Sequence, residues 1–322
     1  MADWAKAHLE PKKEKQNEVA FKPFGDAPRT AKEWCDADIP QPVEFLGNRI
    51  WHSQTKGMFV MRTDKGKTMW SVALGLHLAW GKGFCDWSPR RKARVLYIEG
   101  ESPGYLVQET MRLQCKALGE HQPQNFRLIS ASTEKIPFLN VDPRRKPPSS
   151  PYDGLRWLDE RLAEWPPDFI IFDNLSALCP VMVSTSARGW IEQMMTLVIT
   201  PLNLLGIGQL WLHHPDKQGK QQHGTGARNW GLHLELFGEP VVERGIGFNI
   251  RFPGKKKGDR GGNNPDYDER YAGFEDGEWI TDECRPPALV NSMDVNFGVD
   301  SKLTGRPNLQ HVPIIVAHSL HA

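Results

Sequence analysis

Met61-Arg-Thr-Asp-Lys-Gly-Lys-Thr68 is the stretch that decides the fold of this chain. It follows the apolar run 57–61, which is typical of a buried strand, and it leads directly into a helical pattern. Five apolar residues of that pattern line one face of a helix: Met69, Val72, Ala73, Leu76 and Trp80. A loop that ends in Gly-Lys-Thr between a strand and a helix can cradle phosphate with its backbone N–H groups. The stretch therefore predicts a phosphate-binding loop.

Individual roles follow from the side chains of this loop. Lys67 is placed to neutralise phosphate oxygens, and the hydroxyl of Thr68 is placed to reach Mg²⁺. The residues expected to surround a bound nucleotide are Arg62, Thr63, Asp64, Lys65, Gly66, Lys67 and Thr68. Two positions depart from the usual pattern, since Met61 replaces a glycine and Asp64 brings a negative charge. The alternative is a chance Gly-Lys-Thr at a helix start, which the motifs described next disfavour.

Four more apolar runs resemble buried strands, at 94–98, 126–129, 168–172 and 209–212. Helical patterns are expected between and after them, around 103–119, 152–165 and 187–205. This alternation predicts an α/β fold with a mostly parallel central sheet flanked by helices, whose ligands bind at the carboxyl ends of the strands. Two further strands, 246–252 and 271–280, are expected to add antiparallel to it toward the C-terminus.

Two glutamates lie where the second predicted strand ends, in Val95-Leu-Tyr-Ile-Glu-Gly-Glu101. A carboxylate at this edge can polarise the water that attacks a γ-phosphate. Glu101, at the very end of the strand, is the preferred general base, and Glu99 is the second choice on the same face. The alternative is a solvated loop carboxylate.

Acidic and imidazole side chains end two other predicted strands. Asp173 follows four apolar residues, the Walker B arrangement that supports Mg²⁺, although it could instead cap a helix. His213 and His214 end the fifth strand, where a neutral imidazole can sense a γ-phosphate. Neighbouring residues of a strand face opposite sides, so one histidine is expected to be packed and a zinc site is disfavoured.

Basic residues follow the fifth strand. The polar loop 215–226 carries Lys217 and Lys220, which could contact a DNA phosphate backbone or simply be solvated. Arg228 and Arg251 could each reach the γ-phosphate held by a neighbouring subunit, or remain solvated.

The composition limits the classes of function. The 322 residues include 40 Lys+Arg and 39 Asp+Glu, so the net charge of +1 excludes binding to nucleic acid by bulk charge alone. Five widely spaced cysteines without a CxxC pair favour a reducing, cytoplasmic setting. The absence of a long apolar run predicts a soluble protein that is not exported.

The order of these motifs resembles the RecA-like, RepA-type AAA ATPases. The resemblance covers about residues 40–260, and its more specific parts are Glu-Gly-Glu, Asp-Asn-Leu-Ser and His-His. It implies an ATP and Mg²⁺ site at the subunit interfaces of a ring, usually a hexamer, that moves along or loads onto single-stranded DNA. Proteins of this kind occur in phages, plasmids and other mobile elements, often beside replication genes.

The resemblance also implies roles for single positions. Lys67 and Thr68 would bind phosphate and magnesium, Glu101 would activate water, and Asp173 would support the metal. His214 would sense the γ-phosphate. Arg228 matches an arginine of the family at the subunit interface. Met61 departs from the family's glycine, which predicts weakened ATP binding.

These observations predict three segments: a flexible arm over 1–33, a RecA-like ATPase domain over 34–284 and an irregular extension over 285–322. The predicted function is a DNA-dependent ATPase motor, similar to a replicative helicase. Two alternatives stay open at this point. One is a degenerate module that binds nucleotide or DNA without hydrolysis, and the other is an ATP-dependent helicase loader or recombination mediator.

Overall fold

A computed structural model describes eight ranges of the chain: 30–119, 123–137, 139, 152–179, 187–215, 231–241, 246–252 and 264–284. Its centre is a nine-stranded sheet. The strands are β3 (Lys56–Met61), β4 (Val95–Glu99), β5 (Phe126–Ser130), β6 (Phe169–Asp173), β7 (Gly208–His213), β8 (Leu234–Pro240), β9 (Ile246–Arg251), β10 (Arg270–Glu275) and β11 (Glu278–Asp282). Two short strands, β1 (Glu44–Leu46) and β2 (Trp51–His52), form a separate antiparallel pair.

Helices connect and cover these strands. They are α1 (Ala31–Asp36), α2 (Lys67–Trp80), α3 (Gly104–Ala117), α4 (Asp153–Glu164), α5 (Leu175–Leu178), α6 (Ala187–Gly189) and α7 (Thr200–Leu204), with a π-helix (Trp190–Ile199) between the last two and a 3₁₀ turn (Pro265–Tyr267). None of the described helices is long and apolar enough to span a membrane.

The strand order is β11-β10-β9-β8-β3-β7-β6-β4-β5. The six strands from β8 to β5 run parallel, and β9, β10 and β11 extend the sheet antiparallel. This confirms the predicted α/β fold with a mostly parallel sheet and antiparallel strands toward the C-terminus. Four of these strands, β3, β4, β6 and β7, read as nearly continuous apolar runs because helices cover both faces of the sheet there.

Two details of the predicted strands were wrong. The run 271–280 is not one strand, because the chain turns at Asp276 and Gly277, both at positive φ, and returns as β11. β8 was missed altogether. Its burial alternates along the strand, but Glu235, Gly238 and Glu239 interrupt the apolar pattern that marks the other strands.

Alternate residues of each parallel strand enter two separate cores. Phe59 and Met61 pack with α2 on one face of the sheet, whereas Met58 and Val60 pack with the π-helix on the other. This alternation follows from the two-residue period of a strand. Because β3, β4, β6 and β7 run parallel, their carboxyl ends lie at the same edge of the sheet, where the candidate site is found.

The predicted segment boundaries remain predictions. Residues 31–33, at the end of the predicted arm, belong to α1, which begins with a capping box between Thr30 and Glu33. Residues 1–29 and 285–322 lie outside the described ranges.

Candidate active site

The loop 62–66 joins β3 to α2, and its backbone needs glycine at the last position. Gly66 has φ of 91°, a left-handed conformation, and an added Cβ would lie 2.5 Å from Cγ2 of Ile246. Asp64 also has a positive φ, of 57°, and its side chain is exposed. The loop thus meets the N-terminus of a 14-residue helix whose first N–H groups have no side-chain cap.

Met61 lies in the core and not in this loop. Its side chain is fully buried and packs over Gly238 on the neighbouring strand β8. A Cβ on Gly238 would come within 2.4 Å of the Met61 sulfur, so the two residues are fitted to each other. The departure from glycine at position 61 therefore has a packing role.

Replacing Met61 with glycine should destabilise the fold and leave ATP affinity close to that of the wild type. The loss of a buried methionine side chain should lower the free energy of unfolding by about 2–5 kcal/mol. Urea unfolding and calorimetric ATP titration would measure the two quantities. As a control, Gly238→Ala should lower the free energy of unfolding less in a Met61→Ala background than in the unaltered protein. In that background the new methyl group no longer meets the long Met61 side chain. Tighter ATP binding by Met61→Gly at unchanged stability would contradict this packing role.

Lys67 and His214 meet at the start of α2. Lys67 is only 6% exposed, and its Nζ lies 3.3 Å from Nδ1 of His214. Burial lowers the pKa of Lys67, while the carboxylates of Asp173, Glu101 and Asp64 act to raise it. Burial, followed by the positive charge of Lys67, lowers the pKa of His214. Nδ1 of this imidazole is placed to accept a hydrogen bond from the side-chain amine of Lys67.

Asp173 forms a second contact with the start of α2. The Thr68 hydroxyl donates to Oδ2 of Asp173 over 2.7 Å, and the Tyr97 hydroxyl donates to the same oxygen over 2.8 Å. Ser71 in turn lies 2.8 Å from the Tyr97 hydroxyl. Burial raises the pKa of Asp173, and the Thr68 hydrogen bond opposes that shift. The helix cap considered for Asp173 belongs instead to Asn174, which accepts from the backbone N–H of Ala177.

Asn174 joins the two remaining groups of the site and was missed in the sequence. Its side-chain amide donates to Oε2 of Glu101, and the same nitrogen lies 3.2 Å from Nε2 of His214. Oε2 of Glu101 also lies 3.8 Å from Nε2 of His214. The bond from Ala177 fixes which end of the amide faces Glu101. The available signal was an asparagine directly before a helix, which indicated only a cap.

Glu99 and Glu101 have different surroundings although they are two residues apart. Glu99 is fully buried, and its carboxylate accepts the backbone N–H groups of Glu101 and Ser102 and the Ser130 hydroxyl. The side chain of Glu101 is 56% exposed and faces Asn174 and His214. Glu99 therefore shapes the turn that presents Glu101, and it is poorly placed to take a proton from a substrate water.

Hard oxygen ligands are available for a magnesium ion. Thr68 and Asp173 offer a hydroxyl and a carboxylate that are already within hydrogen-bonding distance. Among the described residues there is no group of three or more His, Cys, Asp or Glu that could hold a metal alone. Mg²⁺ is usually held by one or two protein oxygens together with substrate phosphates and water, and Thr68 and Asp173 can supply such oxygens.

Of the remaining predicted site residues, some are placed by the structure and others are not described by it. Lys217, Lys220 and Arg228 fall outside the described ranges. Arg251 forms ion pairs with Glu239 at 2.6 Å and with Glu269 at 3.9 Å on the antiparallel side of the sheet. Arg62 and Thr63 are exposed in the loop, and Lys65 is half-buried there.

The comparison with known families agrees with this geometry. A family profile described as an AAA domain matches residues 25–220, more than half of the chain. The match spans the loop before α2, the acidic ends of β4 and β6, and the histidines that end β7. No curated protein matched in a separate search. The chain belongs to the AAA domain family of P-loop ATPases.

Proposed function

We propose that this protein binds ATP with Mg²⁺ and hydrolyses it by attack of water on the γ-phosphate. The observation that carries the proposal is the convergence of six side chains at one edge of the sheet: Lys67, Thr68, Glu101, Asp173, Asn174 and His214. They come from the ends of three strands and the start of one helix, so local sequence pattern alone does not bring them together.

Binding rests on the start of α2. The N–H groups of the loop and of the uncapped helix start would hold phosphate oxygens, and the Lys67 ammonium would add a charge-assisted contact in a buried setting. Thr68 and Asp173 would hold Mg²⁺, which when bound neutralises charge on the phosphates. Tyr97 keeps the Asp173 carboxylate oriented by its hydrogen bond to Oδ2.

Proton transfer rests on Glu101. Its carboxylate is exposed enough to reach a water, and the amide of Asn174 holds one of its oxygens in place. The other oxygen is then the one that accepts the proton from the attacking water. His214, between Lys67 and Asn174, would connect the phosphate-binding lysine to the general base.

The proposal extends to a DNA-dependent motor of the RepA type that works as a hexameric ring on single-stranded DNA in the replication of a mobile element. Its support is the order of motifs in the sequence, together with Lys217 and Lys220 in the loop that follows His214. The described part of this segment ends at Pro215, directly after β7 and His214, so contact of the following lysines with DNA would be linked to the nucleotide through β7.

We expect single-stranded DNA to stimulate steady-state ATP hydrolysis by the purified protein in the presence of Mg²⁺. Replacing both Lys217 and Lys220 with alanine should remove the stimulation, weaken DNA binding and flatten its salt dependence, while the basal rate persists. Replacing two exposed lysines elsewhere, Lys32 on α1 and Lys116 on α3, with alanine provides a charge-matched control. Phosphate release and fluorescence anisotropy would measure the two activities.

Each other outcome identifies a different function. Nucleotide binding without turnover would indicate a degenerate binding module. ATP turnover that DNA does not change would contradict the motor function and would support an ATPase that does not depend on DNA. DNA-stimulated turnover without strand displacement on forked DNA would favour a loader or recombination mediator.

A further inference from the structure

A chain of buried hydroxyl groups ties the helix α2 to the carboxylate of Asp173. It runs from Ser71, in the second turn of α2, through Tyr97 of β4 to Asp173 at the end of β6. Ser71 and Tyr97 are fully buried, and Asp173 is 3% exposed. Water therefore competes little for these hydrogen bonds, and each of them is stronger than it would be at the surface.

The register of the sheet places Tyr97 beside Asp173. In the parallel pair of β4 and β6, Tyr97 lies opposite Ile171, and Glu99 lies opposite Asp173. Residues two apart on a strand share a face, so the tyrosine and the aspartate lie on the same side of the sheet, the side that α2 covers. The Tyr97 hydroxyl reaches Oδ2 of Asp173 over 2.8 Å.

The direction of each hydrogen bond follows from the groups that form it. An ionised carboxylate only accepts, so the single O–H of Tyr97 is donated to Asp173. Ser71 is then the donor across the 2.8 Å between its hydroxyl oxygen and that of Tyr97. The Ser71 hydroxyl has a second acceptor at 2.9 Å, the Thr68 carbonyl. The bond from Tyr97 to Asp173 is therefore the fixed part of the chain, and the hydrogen of Ser71 is shared between two acceptors.

The oxygen that Tyr97 holds also meets the other proposed magnesium ligand. Oδ2 of Asp173 accepts the Thr68 hydroxyl over 2.7 Å. Because Tyr97 donates to the same oxygen, the carboxylate cannot turn away from Thr68 without breaking a buried hydrogen bond. Groups that orient a metal ligand in this way commonly set the affinity of a site for its metal.

We propose that Tyr97 is a positioning residue of the Mg²⁺ site and, supported by Ser71, determines how much Mg²⁺ the protein requires to bind nucleotide. This inference rests on the proposed function, in which Thr68 and Asp173 hold the metal. It adds that the metal-binding carboxylate is kept in place from the phosphate-binding helix, through a tyrosine that acts on the metal only by way of Asp173.

Tyr97→Phe tests this role, because it removes the hydroxyl and keeps the ring. At a fixed concentration of a non-hydrolysable ATP analogue, we expect the Mg²⁺ concentration for half-maximal binding to rise by about 10–100-fold. In EDTA, the weaker binding of the analogue should match that of the unaltered protein, because the substitution leaves Lys67 and the loop 62–66 in place. Calorimetry on the full chain measures both quantities. The affinity of Mg²⁺ for the analogue in solution is the same for every variant, so it does not affect the comparison.

Two further variants complete the experiment. Tyr271→Phe is the matched control, since Tyr271 is also fully buried and donates to the carboxylate of Glu275 over 3.2 Å, but lies on the antiparallel strand β10. It should leave the Mg²⁺ requirement unchanged. Ser71→Ala should raise the requirement by less than about ten-fold, because the hydrogen that it removes is shared. Circular dichroism establishes that each variant is folded, and Ser71→Ala decides the question if Tyr97→Phe does not fold.

The outcomes separate this inference from the proposed function. An unchanged Mg²⁺ requirement in folded Tyr97→Phe, or an equal loss of analogue binding with and without Mg²⁺, would overturn the positioning role and leave the proposed function in place. If Tyr97→Phe does not fold, an unchanged requirement in Ser71→Ala would overturn it. Nucleotide binding by the unaltered protein that does not respond to Mg²⁺ would overturn the proposed function and this inference together.

Discussion

Glu101→Gln should reduce ATP turnover by about 10²–10⁴-fold while ATP affinity and thermal stability stay near those of the unaltered protein. Glutamine keeps the shape of the side chain and an oxygen that can accept from Asn174, but it does not take a proton from water. The side chain is 56% exposed, so its replacement leaves no buried group unpaired. Single-turnover hydrolysis and calorimetric ATP titration would separate the chemical step from binding.

Glu99→Gln is the matched control for this prediction. Its oxygen can still accept the backbone N–H groups of Glu101 and Ser102, and the Ser130 hydroxyl can rotate to suit the amide. We expect turnover to fall by less than about ten-fold. A larger loss in Glu99→Gln than in Glu101→Gln would move the role of general base to Glu99.

Lys67→Ala should weaken ATP binding by about 100-fold, which also removes turnover at ordinary ATP concentrations. A charge-assisted contact to phosphate contributes about 3 kcal/mol, and each 1.4 kcal/mol corresponds to a factor of ten in affinity. Burial strengthens the effect, because water does not replace the missing ammonium group well at a position that is 6% exposed. Titration with a fluorescent ATP analogue would measure the loss of affinity.

Lys65→Ala tests whether the loss of ATP affinity in Lys67→Ala depends on the position of the lysine or only on its positive charge. Lys65 belongs to the same loop and carries the same charge, but it is only half-buried and precedes the helix by two residues. We expect its removal to weaken ATP binding by less than about ten-fold. Equal affinity of the unaltered protein and Lys67→Ala would refute the assignment of the loop.

Local pattern was sufficient to predict most of the sheet. The apolar runs before Met61, Glu99 and Asp173 marked strands because a strand buried on both faces needs a continuous apolar sequence. The same reasoning failed for β8, whose Gly238 is small so that Met61 can pack over it. The packing of two residues from different strands against each other cannot be predicted from the sequence of either strand alone.

The candidate site shows the same division. The sequence by itself determined the strand, the loop and the helix around Gly66-Lys67-Thr68, and the chemical groups that end the strands, since each depends on neighbours along the chain. Only the tertiary structure decided that Glu99 is buried and Glu101 exposed, and that Asn174 bridges Glu101 and His214. These contacts depend on the order and register of strands whose residues are 40 to 73 positions apart, and strand pairing over such distances is set by the packing of the whole sheet.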